Sequence, residues 1–342
     1  MYVNFTNNDT STDVGIVTSG VWQDGASVIT SFYSSSTQYS NTGDYSIDVY
    51  RYDPSANASA SVQFGIAYGH RDGSGSLGGI GTTGDRTTAA VFGQFNNLIN
   101  PPETTTFKFQ GNSTAKQIYA IVMNRARMRE ALEPGGWEIH LKASGSTGGY
   151  VKLIDDFSTN KGGNTDQRNF APEYNVVSGT LVGGTSIKTA AASEDSTMGS
   201  YGTFYPKLGV IILNPHRLNG DPLRLNTKSG SNSDDRNPRK FFDAIVSGSR
   251  FQAKRQEEIT STHYFVRATS QEFNATTNET FYTESIAGTK QVIAGLASDP
   301  KTYITTVGLY NDDTELLAIA KLSKPILKST SREALIKVKL DF

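Results

Sequence analysis

Cysteine is absent from all 342 residues. Disulfides and thiolate metal sites are therefore excluded. The absence fits synthesis in a reducing cytoplasm, and it leaves packing and partners as the sources of stability. Long apolar runs are missing too. The longest, Leu208-Gly209-Val210-Ile211-Ile212-Leu213, has the length of a strand. A membrane-spanning helix needs roughly 18 or more such residues, so no span is expected. Neither sign of charge dominates, with 32 Lys and Arg against 33 Asp and Glu. A nucleic-acid binder shows a basic excess or stripe, so nucleic acid is an unlikely partner on charge grounds. The opening Met1-Tyr2-Val3-Asn4-Phe5-Thr6 has neither a basic region nor an apolar run. No signal peptide is expected from it. The Asn-x-Ser/Thr matches at Asn4, Asn57 and Asn274 then reflect a chain rich in Asn and Thr rather than glycosylation.

What is abundant points to strands and turns. There are 33 Gly, 16 Tyr and 17 Phe, with many Ser and Thr. Aromatic residues this frequent argue against disorder across the whole chain. The length suits two compact domains or one elaborated domain. The expected fold class is mainly β with a few short helices (α+β), built from antiparallel, β-sandwich-like sheets. An extended N-terminal arm and long loops complete it.

Four segments follow from the pattern. Residues 1–45 are polar and turn-rich, and read as an arm with short strands near Gly15–Thr18 and Val28–Tyr33. Such an arm buries little alone and gains order on a neighbouring subunit; the alternative is a flexible terminus. Residues 46–155 read as a β-rich domain. In Ser46-Ile47-Asp48-Val49-Tyr50-Arg51-Tyr52, Ile47 and Val49 share one face, and Tyr50 and Tyr52 share the other. Val62, Phe64, Ile66 and Tyr68 alternate on the returning strand. Val91, Phe95, Leu98 and Ile99 have helical spacing, and Pro101-Pro102 stops that helix. Asn124 to Leu132 reads as a short helix capped by Asn124 and stopped by Pro134-Gly135-Gly136. Residues 156–205 read as a long polar interface loop.

Residues 206–342 read as a second β-rich domain. Pro238–Val246 is a predicted helix with Phe241, Phe242 and Ile245 on one face and Asn237 as its cap; Phe251–Thr260 is a candidate extension. Thr302–Tyr310 and Glu315–Leu322 read as a hairpin about the Asn311-Asp312-Asp313 turn. Ala334 to Phe342 alternates as a strand.

Candidate chemistry is sparse. Gly73-Ser74-Gly75-Ser76-Leu77-Gly78 matches GxGxxG, but Gly79, Gly81 and Gly84 follow, so a glycine-rich loop is expected rather than a dinucleotide site. His70, His140, His216 and His263 form no i, i+4 pair and no HExxH motif. Asp234-Asp235 and Asp312-Asp313 read as solvated turns, not calcium loops. There is no G-x-S-x-G elbow. No catalytic residue, metal or cofactor is assigned. The candidate interface residues are Arg125, Arg127 and Arg129, with Tyr50 and Tyr52. Arginine is favoured at interface cores, and Arg125 and Arg129 share a helix face at i, i+4.

A resemblance enters with the C-terminal residues. Tyr303-Ile304-Thr305-Thr306-Val307-Gly308-Leu309-Tyr310-Asn311 and Glu315-Leu316-Leu317-Ala318-Ile319-Ala320-Lys321-Leu322-Ser323-Lys324-Pro325 resemble a segment of virion structural proteins of contractile-tailed bacteriophages, including those of marine cyanobacteria. Ala334 to Phe342 is similar as well. So are Asn124-Arg125-Ala126-Arg127, the stretch from Pro134 to Leu141, and Thr262 to Arg267 with Glu272-Phe273-Asn274. The resemblance implies a non-enzymatic tail or baseplate subunit, made in the host cytoplasm and placed in the virion. It implies other tail or baseplate proteins as partners, in an oligomeric assembly. A looser likeness to tail-fibre collar proteins keeps a fibre-attachment, collar or glycan-binding role open. A carbohydrate-active tail enzyme is the catalytic rival, and needs two carboxylates about 5–9.5 Å apart in a cleft. On the architectural reading, residues 1–45 and 156–200 exchange amide hydrogens freely in the isolated chain and become protected on assembly. Equal protection in both states, measured by hydrogen exchange, would count against it.

Overall fold

Alternating apolar residues and the scarcity of uninterrupted helical pattern make this chain a sheet protein. The computed structural model describes residues 4–35, 45–75, 87–110, 113–143, 149–163, 172–183, 185–188, 199–228, 236–284 and 288–341. It is mainly β, with 47% strand against 17% helix. Contacts divide the chain into two units. One comprises residues 16–257, the other residues 1–15 together with 258–342. Among the described residues no helix is long and apolar enough to cross a membrane.

The larger unit is built on one curled antiparallel sheet. Its strands run in the order Val28–Ile29, Phe251–Gln252, Glu138–Lys142, Tyr150–Asp155, Tyr174–Val182, Gly202–Tyr205, Val210–Leu213, Gln117–Met123, Val62–His70 and Ser46–Tyr50. Thr185–Lys188 adds an outer pairing to Tyr174–Val182. The central strands are covered on both faces, which explains their continuous apolar sequences. From Gln117–Met123, Tyr119 and Ile121 face one core, and Ile118 and Ala120 face another. Val210–Leu213 divides in the same way: Ile211 and Leu213 join the first core, Val210 and Ile212 the second.

Each core is closed by a helix. Asn237–Gly248 places Phe241, Phe242 and Ile245 in the first, where Phe241 stacks on Tyr119 at 4.8 Å between ring centroids. Trp22, Phe64 and Phe251 fill the same core, with Trp22 and Phe251 4.8 Å apart. Thr87–Ile99 places Phe92, Phe95 and Ile99 in the second core, against Phe107 and Phe109 of a small hairpin. Burial of these rings is the main stabilising term, each contributing on the order of 2 kcal/mol or more.

The smaller unit pairs two sheets. Strand Lys254–Ala268 hydrogen-bonds antiparallel to Ala334–Asp341 from Ser261↔Asp341 to Ala268↔Ala334. Lys301–Tyr310 and Leu316–Ser329 form the hairpin read from the sequence. Val307, Leu309, Ile336 and Val338 meet between the layers, packed by Tyr264, Val266, Ala318 and Ala320. Strands Thr10–Gly20 and Lys254–Ala268 contribute residues to both units.

Several expectations need correction. The unit boundaries fall at 15/16 and 257/258, whereas residues 46, 156 and 206 were expected to begin new segments. Residues 1–45 are more than an arm: Thr10–Gly20 is a strand, and Val21, Trp22, Ile29 and Phe32 lie in the core. Residues 156–205 are more than a loop, since Tyr174–Val182, Thr185–Lys188 and Gly202–Tyr205 are strands. Their Ser, Gly and Asn residues hid a pattern that Val176, Val177 and Phe204 complete by burial. The helix begun by Asn124 ends at Met128, because Arg129 takes φ +62° and Ala131–Leu132 pairs with Arg255 and Gln256. Asn124 does cap it, its side chain accepting from the Ala126 N–H. Asn237 is not a cap; its amide exchanges hydrogen bonds with the Lys228 backbone. Residues 251–260 are strand, since Ser249 turns the chain out of the helix at φ +57°.

Gly248 shows how closely the helix end lies on the sheet. A Cβ there would sit 1.9 Å from the His140 carbonyl oxygen. Gly248→Ala is expected to destabilise the larger unit by about 1–3 kcal/mol, the usual cost of overpacking. Urea unfolding checks this; an unchanged midpoint would contradict the contact.

Candidate functional site

The arginines singled out as interface candidates lie together but are engaged within the chain. Arg125 donates to the Lys207 carbonyl at 3.1 Å. Arg127 donates to Ser61 Oγ at 2.6 Å. Arg129 forms a two-pronged pair with Glu257, at 3.0 and 2.9 Å. Arg255 joins the group through Glu257, Ser19 Oγ and the Arg127 carbonyl. Arg125 and Arg129 remain exposed. Tyr50 is half-buried, and its backbone bridges to Tyr33. Tyr52 donates its hydroxyl to Asp24 at 2.8 Å, with Arg51 over its ring. Ser61 Oγ donates in turn to Gln23 Oε1 at 3.0 Å, and Arg51 donates to the Gln23 carbonyl beside Asp24, so a polar chain links Arg127 to Tyr52.

A polar cluster that sequence reading missed lies on the same sheet. Glu138 and His140 are two apart on one strand, and so project to the same side. His140 Nε2 lies 2.5 Å from Glu138 Oε1, and its Nδ1 meets the Tyr150 hydroxyl. The other Glu138 oxygen accepts from Thr180 Oγ1 at 2.8 Å and from the Leu181 N–H at 2.5 Å. Burial alone would raise this carboxyl. The bonds from His140, Leu181 and Thr180 outweigh it and bring the pKa to about 2. An ionised Glu138 thus orients the imidazole toward Tyr150 and ties together strands 138–142, 150–155 and 174–182. The Glu-x-His spacing was the visible signal. Tyr150 was not, because hairpin register brings it in.

The adjacent acids Asp155 and Asp156 are also buried. Asp156 accepts from the Asn175 N–H and side-chain amide, at 2.9 and 2.8 Å. Asp155 accepts from the Gly135 N–H and the Phe157 N–H, at 2.8 and 3.1 Å. Desolvation dominates at Asp155 and, with the Asp156 charge, pushes its pKa up to about 7 despite the two N–H donors. These carboxylates anchor backbone rather than face a cleft.

The histidines remain dispersed. His70 Nδ1 accepts from the Asp72 and Ser74 N–H groups. Among the described residues no group of three or more His, Asp or Glu is arranged to hold a metal. The glycine-rich match lies partly outside the described residues, as does Asp234-Asp235; the helix after it begins at Thr87. An open concavity of about 580 Å³ in the smaller unit is lined by Phe265, Arg267, Glu333 and Leu335 among others, with Glu333 its one acidic residue.

The smaller unit also exposes large apolar side chains. Tyr303 is 65% exposed, Leu317 66%, Ile319 58% and Leu335 64%. Tyr310 and Leu316 are opposite one another in the hairpin, and Gly308 is opposite Ile319. A Cβ on Gly308 would come within 2.9 Å of the Tyr310 ring and 3.3 Å of Leu316. The bare backbone there floors a shallow apolar patch. Among the described residues, the two hairpin strands pair with each other, apart from an isolated bridge between Ser329 and Arg332. Comparison with family models, with curated proteins and with solved structures finds no match to this chain.

The raised Asp155 pKa gives a signed prediction. The folded carboxyl holds its proton more tightly than the unfolded one. Its contribution to stability is therefore full below about pH 4 and is lost as pH rises toward 7. Glu138 acts in the opposite sense, and only at lower pH. Asp155→Asn should flatten the decline between pH 4 and 7 in urea titrations. An identical slope in the variant would refute the assignment.

Proposed function

We propose that this chain is a structural subunit of a contractile-tailed phage particle, in the tail or baseplate, and that it works by assembling with other virion proteins. The observation that carries the reading is the row of exposed large apolar residues on the 301–310 and 316–329 hairpin. Contiguous exposed apolar surface of this kind marks interaction sites. The strongest segments of the phage resemblance run through the same hairpin and the neighbouring strand Ala334–Asp341. Sheets covered on both faces supply rigidity, and unpaired strand edges with apolar faces supply adhesion. In this role the buried carboxylates hold the scaffold in shape and perform no turnover.

Leu317→Ser combined with Ile319→Ser tests the reading, because both side chains are largely exposed. Folding stability should change by no more than about 0.5 kcal/mol, as for ordinary surface changes. Incorporation into particles, measured by quantitative mass spectrometry of purified virions, should fall sharply. Normal incorporation would argue against this face. Glycan binding or substrate turnover by the solitary purified chain would argue against the architectural role altogether.

A further inference from the structure

Lys328 is completely buried near the end of strand Leu316–Ser329. Its Nζ donates to the Ser270 carbonyl at 3.1 Å, to Asn274 Oδ1 at 2.9 Å and to the Ser329 carbonyl at 2.9 Å. All three acceptors are neutral, and among the described residues no carboxylate forms an ion pair with Lys328. Burying a lysine without a counter-ion is costly. The site is nevertheless closely built. Thr302, directly across the hairpin from Lys328, donates Oγ1 to the Phe273 carbonyl at 2.7 Å. Asn274 Nδ2 donates to the Ser270 carbonyl at 2.8 Å. Phe273 itself takes φ +54°, turning the chain so that Asn274 meets the lysine. The hairpin end and the 269–274 loop thus hold a buried amine against a half-buried carboxamide.

We propose that Lys328 and Asn274 become joined by an intramolecular isopeptide bond that the chain forms on itself. The three donated bonds use all three N–H groups of the ammonium, so Lys328 first releases one proton to solvent, and the freed lone pair then attacks Cγ of Asn274, one covalent bond beyond the oxygen that Nζ already contacts. The Nζ–Cγ bond forms and the Cγ–Nδ2 bond breaks. Nδ2 leaves as ammonia, taking with it the proton released from Nζ. Nothing is oxidised or reduced, and no co-reactant is consumed. Holding the two groups together replaces an encounter between molecules with a local step, the main requirement for so slow a reaction. Glu272, two residues before Asn274, accepts from the Thr269 N–H and hydroxyl, which hold its carboxyl below the usual range, with the Lys328 charge a smaller contribution. The product is a covalent staple in a chain that has no cysteine to make one. It closes the segment between residues 274 and 328, which contains most of the exposed hairpin.

Mass spectrometry of the folded full-length chain tests this directly. The intact mass should fall short of the sequence mass by one ammonia. Proteolysis should release a branched peptide joining the segments that contain Asn274 and Lys328. Lys328→Arg and Asn274→Ser should each restore the full mass. A full sequence mass in the wild-type chain after prolonged incubation would overturn the proposal. So would a deficit traced to an unbranched peptide, since a succinimide at an asparagine sheds the same ammonia. Both readings use the wild-type protein, so they decide the matter even if a variant fails to fold.

Discussion

Two-sided burial of the central strands is the constraint on which the larger unit depends. Once Gln117–Met123 and Val210–Leu213 are apolar on both sides, each face needs a cover. The helices Thr87–Ile99 and Asn237–Gly248 supply it, and their aromatic residues set how closely they approach. The strands in turn satisfy their backbone groups in the ladder, as buried amides must. The sheet can then widen on either side without another source of order. Polar groups enter at strand ends, Glu138 opening one strand and Asp155 closing the next.

Those polar groups illustrate how the balance between desolvation and donors decides the state of a buried acid. Glu138 and Asp155 are both removed from water, yet their pKa values move in opposite directions. Glu138 receives the His140 ring, a hydroxyl and a backbone N–H, enough to favour the anion. Asp155 receives backbone donors but also lies beside Asp156, and desolvation prevails. The effect of both acids is to fix strand ends and turns.

The alternating segments were legible because their large apolar residues fall at every second position, on one face of the strand. Ile47 and Val49, then Phe64, Ile66 and Tyr68, are buried as their spacing required. The hairpin about Asn311 and the alternation of Ala334, Ile336 and Val338 were equally plain. Strand Tyr174–Val182 was not, because Asn175, Ser178 and Gly179 are buried polar or small residues whose partners lie far away in sequence. Helix capping by Asn237 failed for a similar reason, since its amide found the Lys228 backbone instead. The arginines were found as a group, but their partners Ser61, Lys207 and Glu257 depend on long-range packing. Residue type identified polar sites, and only three-dimensional register identified their partners.

The smaller unit draws its strands from both ends of the sequence: residues 1–15 combine with residues 258–342. A ribosome delivers the first of these long before the second. The intervening 16–257 unit has all its strands available first and can fold while synthesis continues. The N-terminal segment must wait, unpaired, until its partner strand emerges. Closure of the smaller unit therefore comes last, and its long sequence separation makes it the slow step in maturation. The exposed apolar residues of the hairpin are thereby presented only after the 16–257 unit is in place.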